Sequence, residues 1–170
     1  MLEQMVTSFI ASAGFGIIFN APKNSLLQCG LVGMIGWTIY FWFVEMQFDS
    51  VFASCIAAIF VGVISNICAK LYKTPVIIFT VGGIIPLVPG GLAYDAMRHF
   101  VQNDYNIALQ LAAKVFLISG AIAIGLVFAE VVNLLIKKFL HFKQKYDQQK
   151  SRGEFYTRKT RKPKADKYAG

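Results

Sequence analysis

The sequence predicts an all-α integral membrane protein of five transmembrane helices, the fourth broken at a Gly/Pro-rich motif, with a basic and disordered C-terminal tail. Three observations carry that expectation. Hydrophobic residues make up 56% of the chain and charged residues 15%, and the apolar residues are gathered into runs near the ~20 that one bilayer crossing takes. The charge is segregated: residues 137–170 hold twelve Lys/Arg against Asp147, Glu154 and Asp166, a net +9, while residues 1–136 carry a net −1. Finally, the stretch 74–94, TPVIIFTVGGIIPLVPGGLAY, is apolar yet contains three prolines and four glycines.

Taken in order, the first helix covers about residues 4–20 and stops at Asn20-Ala21-Pro22-Lys23. Glu3 stands where a secretory signal would be positive, so this run is expected to remain as a membrane helix. The second helix, 25–44, ends in Trp37, Tyr40, Phe41, Trp42 and Phe43, rings that favour the headgroup level. The third, 50–71, ends in a basic segment containing Lys70 and Lys73. The broken fourth span, 75–100, opens with Thr74 as N-cap and Pro75 at the first helical position. The fifth, 107–136, is long enough for a tilted span with an extension. Residues 1–136 are thus expected to form a transmembrane domain and 137–170 a basic tail.

Lys/Arg in the short connections set orientation. Five spans put Lys23, Lys70, Lys73 and the tail on one side, and Glu3, Glu45, Asp49, Asp95 and Asp104 on the other, where Arg98 is the one basic residue. The expected topology in the cell membrane therefore has the N-terminus outside and the C-terminus in the cytoplasm. The tail is expected to lie on anionic lipid, each basic residue near that surface contributing ~1 kcal/mol. No nucleic-acid partner is expected, because the basic residues do not belong to a folded face.

Ser8, Ser12, Gly16 and Asn20 repeat every fourth residue, as do Ser54, Ala58, Gly62 and Asn66. Small residues at this spacing let membrane helices approach, and an Asn can bond across the contact. Asn20 and Asn66 are accordingly candidates for helix packing or for a pathway. Gly30, Gly33 and Gly36 read as packing glycines. Cys29, Cys55 and Cys68 lie in apolar runs without metal-ligand spacing, so no metal or other cofactor is expected.

The sequence contains no HExxH, GxSxG or phosphate-loop motif, so no enzyme is expected. Chemistry concentrates in the broken segment. Prolines remove N–H donors, and backbone freed at membrane depth must be enclosed in protein or line a wet cavity. A half-helix ending near Gly82-Gly83 would offer carbonyls, and a second beginning at Pro89-Gly90-Gly91 would offer N–H groups and a positive dipole end. The candidate substrate-binding residues are therefore Gly82, Gly83, Pro86, Pro89, Gly90, Gly91 and Tyr94. Glu130 is the first candidate for a coupling proton, since an intramembrane charge is costly, and Asp95 the second; for Lys114, snorkelling to the headgroups and proton handling both stand as readings.

The run PVIIFTVGGIIPLVPGGLAY, behind a helix ending in basic residues, resembles the signature of the threonine/serine exporter (ThrE-like) family, and GFGIIFNAPK, residues 14–23, resembles that family's first-helix ending. The likeness covers residues 8–136 and is closest to the small, YjjB-like subunit. It implies a second membrane subunit carrying the other half of the family's architecture. It also implies ion-gradient-driven export of small carboxylate-bearing metabolites, threonine and serine or a dicarboxylate such as succinate. The alternatives are a non-conducting assembly subunit of a two-component complex and a passive small-solute channel.

Overall fold

The computed structural model describes the backbone of residues 2–160 and the side chains of residues 2–23 and 25–138. Regular structure among the described residues is entirely helical: α1 (Leu2–Ile18), α2 (Lys23–Glu45), α3 (Ser50–Tyr72), α4 (Val76–Ile84), a 3-10 turn (Ile85–Leu87), α5 (Gly90–Val101) and α6 (Tyr105–Thr160). The chain divides into two compact units, residues 1–131 and 132–170.

Tight connections follow from how the helices stop. Asn20, Gln47, Lys73 and Asn103 lie just past the ends of α1, α2, α3 and α5 with φ of 54°, 65°, 52° and 65°. At the first of these, the Ala21 N–H reaches back to the Gly16 carbonyl at 2.9 Å and the Asn20 N–H to Ile17 at 3.0 Å, the paired closure that satisfies the last carbonyls of a helix. Asn tolerates the left-handed conformation better than most residues. Asn20 is exposed at the left-handed turn that ends α1.

In the first unit α2 packs on α1, α3, α4 and the 3-10 turn. The fit depends on missing side chains. A Cβ on Gly30 would sit 2.6 Å from the Phe9 ring, and one on Gly36 2.5 Å from Val61. A Cβ on Gly33 would overlap Ser12 Oγ. Between α3 and α6, a Cβ on Gly62 would come 2.5 Å from Ala129, and one on Gly125 2.6 Å from the Cys55 carbonyl oxygen. The interior is small and branched: Val32, Ala57, Ala58, Val61, Leu87, Ile118 and Ile122 form its core. The outside is apolar as well, with Ile10, Ile17, Phe60, Phe116, Ile124 and Val127 exposed. Since lipid tails are as apolar as Leu, close van der Waals packing rather than water exclusion holds such helices together.

Both small-residue stripes face inward. Ser8, Ser12 and Gly16 are buried on α1, and Ser54, Ala58, Gly62 and Asn66 on α3. Asn66 Nδ2 donates to the Gly62 carbonyl of its own helix at 3.0 Å.

Helices α2, α3 and the apolar part of α6 are long and apolar enough to cross a bilayer, and a fourth crossing follows if α4 and α5 together make one span. Helix α1 is apolar but only 17 residues long. The tail expectation is corrected over residues 137–160, where α6 continues as helix to Thr160. Lys, Arg, Gln and Glu are strong helix formers, and no proline occurs in the sequence between Pro89 and Pro163. Low hydrophobicity denies this stretch a core without denying it a helix. Residues 161–170 of the expected tail lie outside the described residues.

Candidate functional site

Helix α4 starts at Val76 with Pro75, not Thr74, in the N-cap position. It runs straight through Gly82 and Gly83, so the expected break at those glycines is displaced to residues 85–89. Gly82 and Gly83 are buried, and side chains of α2 and α3 leave no room there for more than glycine. A Cβ on Gly83 would lie 2.6 Å from Val61 and 2.7 Å from Val32, and one on Gly82 3.3 Å from the Cys29 Cβ. Their carbonyls face α2 in return, where Cβ atoms on Gly33 and Gly36 would stand 3.3 Å from Gly82 O and 3.5 Å from Gly83 O. The break itself is made by the two prolines. Pro86 has no N–H to give the Gly82 carbonyl, and the chain tightens into the 3-10 turn, where the Val88 N–H reaches Ile85 O at 3.4 Å as well as Ile84 O at 3.2 Å. From Val88 onward it turns, and α5 leaves at 50° to the preceding segment.

The start of α5 is an open helix N-terminus. Pro89 occupies the cap position and no side chain caps it. The Gly90 N–H is taken by Val88 O at 2.7 Å and that of Ala93 by Pro89 O at 3.0 Å. Gly91 and Leu92 are therefore the main-chain donors this end can offer. Nothing lies within 4 Å of where a Cβ on Gly90 or Gly91 would be. No α5 residue is buried, and Tyr94 is 69% exposed. The candidate residues are thus split by the break: Gly82 and Gly83 face the interior, Pro86 faces α1 and α2, and Gly90, Gly91 and Tyr94 face outward.

Asp95, Lys114 and Glu130 are all exposed, while Asn133, one turn beyond Glu130, is buried. His99 Nδ1 stands 3.6 Å from Asp104 Oδ2 across the turn that ends α5. Among the described residues no three His, Cys, Asp or Glu side chains gather as a metal site would require.

Two concavities border the broken segment. One, of about 660 Å³, runs between α5 and α6 and is walled by Ala96, Met97, Phe100, Ala108, Ala112 and Phe116 among others. The other is smaller and more polar, about 230 Å³, and is lined by Gln4, Thr7, Ser8, Ala11, Trp37 and Pro86. Sequence reasoning missed the second. Its signal was the α1 stripe, which extends one turn back from Ser8 to Gln4, and the indole N–H of Trp37, a ring taken only as an interface marker.

Residues 4–132 match the family model described as Threonine/Serine exporter, ThrE. The chain belongs to that family. The matched span contains α1 to α5, the break and the apolar core of α6. Threonine/serine exporter proteins are transporters rather than enzymes, and this member, with its long apolar helices, is a multi-pass membrane protein. No solved structure matches the chain.

Proposed function

We propose that this chain is the small subunit of an ion-gradient-driven exporter of small carboxylate-bearing metabolites, threonine and serine or a dicarboxylate such as succinate. The observation that carries the reading is the α4–α5 break inside the family match, with the Gly91 and Leu92 N–H groups and a positive helix end left uncovered. Such ends suit carboxylates, and paired half-helices are where secondary transporters place their substrates. A second membrane subunit resembling the other half of the family's architecture covers this end and completes the pathway. The largely exposed α5, on which no residue is fully buried, and the apolar groove beside it support that division.

The test is export from cells loaded with threonine- or serine-containing dipeptides, with each subunit deleted in turn. Loss of export on deleting either gene is expected; normal export without this chain would overturn the reading. Counterflow in proteoliposomes is expected to show trans-acceleration, as a carrier does and a channel does not. An assembly-only role gains support from the same exposed N-terminus, since the partner could hold the whole pathway.

The five spans in this reading are α1, α2, α3, the α4–α5 pair and α6, with the N-terminus outside. In a cysteine-free background, single cysteines placed at positions 45–49 are expected to label in intact cells, and those at 145–160 only after permeabilisation. Tail labelling in intact cells would reverse the topology. The basic residues after 137 are then on the cytoplasmic side, where anionic lipid attracts them.

Glu130 is the proposed coupling group and Asp95 its reserve. Glu130→Gln is expected to slow gradient-driven export about tenfold while substrate exchange stays within about twofold, because exchange moves no net proton. Equal slowing of both would transfer the role to Asp95 or to the partner.

A further inference from the structure

The 230 Å³ cleft between α1, α2 and the 3-10 turn is not used by the reading above, and its polar groups are incompletely satisfied. Trp37 Nε1 is buried and has no hydrogen-bond partner among the described residues, although a buried indole N–H usually finds one. Two hydroxyls line the same cleft with their hydrogens already committed. Ser8 Oγ donates to the Gly33 carbonyl at 3.1 Å, and Thr7 Oγ1 to the Glu3 carbonyl at 2.9 Å. Both oxygens keep lone pairs for a donor from outside. Gln4 adds an amide that serves either way. No Lys, Arg, Asp or Glu is among the lining residues.

One turn deeper on the same face of α1, Ser12 Oγ is fully buried and also without a partner. It sits against Gly33, beside the Gly82 carbonyl that Pro86 deprives of its usual donor. Two unpartnered groups, Trp37 Nε1 and Ser12 Oγ, therefore lie between the cleft and the break, in a bundle that also buries polar side chains elsewhere, Ser65 and Asn66 among them. Buried polar atoms left unpaired cost about 1–3 kcal/mol each, so a resident that pairs them is favoured.

We propose that this cleft is a binding subsite for a small zwitterionic amino acid, its carboxylate accepting from Trp37 Nε1 and Gln4 and its ammonium donating to the Thr7 and Ser8 oxygens. This rests on the exporter reading and narrows its substrate class. The volume equals roughly eight waters at ~30 Å³ each, room for a solute the size of threonine. A dicarboxylate is disfavoured here: it brings two anions to a wall with two donors, two committed hydroxyls and no cation. The Pro86 ring closes the cleft, so the bound solute touches the element that bends α4 away from α5.

Binding and transport test this separately. The chain has two tryptophans, so Trp42→Phe leaves Trp37 as the sole indole reporter. In lipid nanodiscs, that full-length variant is expected to show a saturable fluorescence change with L-threonine and none with succinate at the same concentrations. In cells expressing the full chain with its membrane partner, Trp37→Phe retains the ring and loses the N–H. It is expected to raise the half-saturating threonine concentration about tenfold, as losing one hydrogen bond to a charged group does, with the maximal rate within about twofold. No fluorescence response, an equal response to succinate, or an unchanged half-saturation in Trp37→Phe would each overturn the subsite. If the indole responds to threonine but the wild-type complex does not move it, the exporter reading fails and the subsite stands.

Discussion

Gly33→Ala is expected to destabilise the chain by about 2 kcal/mol, a typical cost of forcing one extra carbon into a packed interior, although the substitution is favourable in an isolated helix. The new Cβ would overlap Ser12 Oγ, with a second Ser12 atom, Cβ, at 2.6 Å and the Gly82 carbonyl at 3.3 Å. Three helices meet there, so α2 could not shift away from α1 without losing its seat on α4. The measurement is thermal unfolding in detergent, read by loss of the monodisperse species. A double-mutant cycle identifies the cause. Ser12→Gly removes both Ser12 atoms, and in that background Gly33→Ala is expected to cost less than half as much. Equal costs in both backgrounds would show that the overlap with Ser12 is not what makes Gly33 necessary.

The same junction explains what could be read in advance and what could not. The stripes on α1 and α3 and the three glycines of α2 are periodic, and periodicity at helical spacing assigns a face before any partner is known. Gly82 and Gly83 are ambiguous by that criterion. A glycine pair between an apolar half-helix and a proline reads as a hinge, yet α4 passes through both, and the space their side chains would take is filled by Cys29 and Val32 of α2 and Val61 of α3. Only Pro86 and Pro89, which remove donors outright, break the segment. Asn20 shows another limit of periodicity: its spacing continues the α1 stripe, but the chain has already turned left-handed there. The tail misled differently, since composition predicts whether a segment can build a core and says little about whether it can form a helix. At the candidate site, the start of α5 was legible as a helix N-terminus. Its openness was not, because a helix N-terminus reads the same in sequence whether or not side chains stand over it, and here nothing among the described residues lies within 4 Å of a Cβ at Gly90 or Gly91.

That exposure decides the second large effect. Gly90→Val and Gly91→Val are expected to leave insertion and thermal stability unchanged or slightly improved, because an added Cβ meets nothing at either position and Val is a few tenths of a kcal/mol better than Gly within a helix. Export is nevertheless expected to fall more than tenfold. A branched side chain there would stand over the Gly91 and Leu92 N–H groups and keep a carboxylate from the hydrogen-bond distance of about 2.9 Å at which such donors act. The contrasting control is Gly83→Val, whose Cβ would come within 2.7 Å of both Val61 and Val32 and should cost folded protein, not transport per folded molecule. Export per inserted molecule, measured for all three, separates the two roles of glycine in this segment. If Gly90→Val and Gly91→Val insert normally and export at the parental rate, the α5 end does not receive substrate. The carboxylate would then be bound elsewhere, with the Trp37 cleft and the partner subunit as the places to examine.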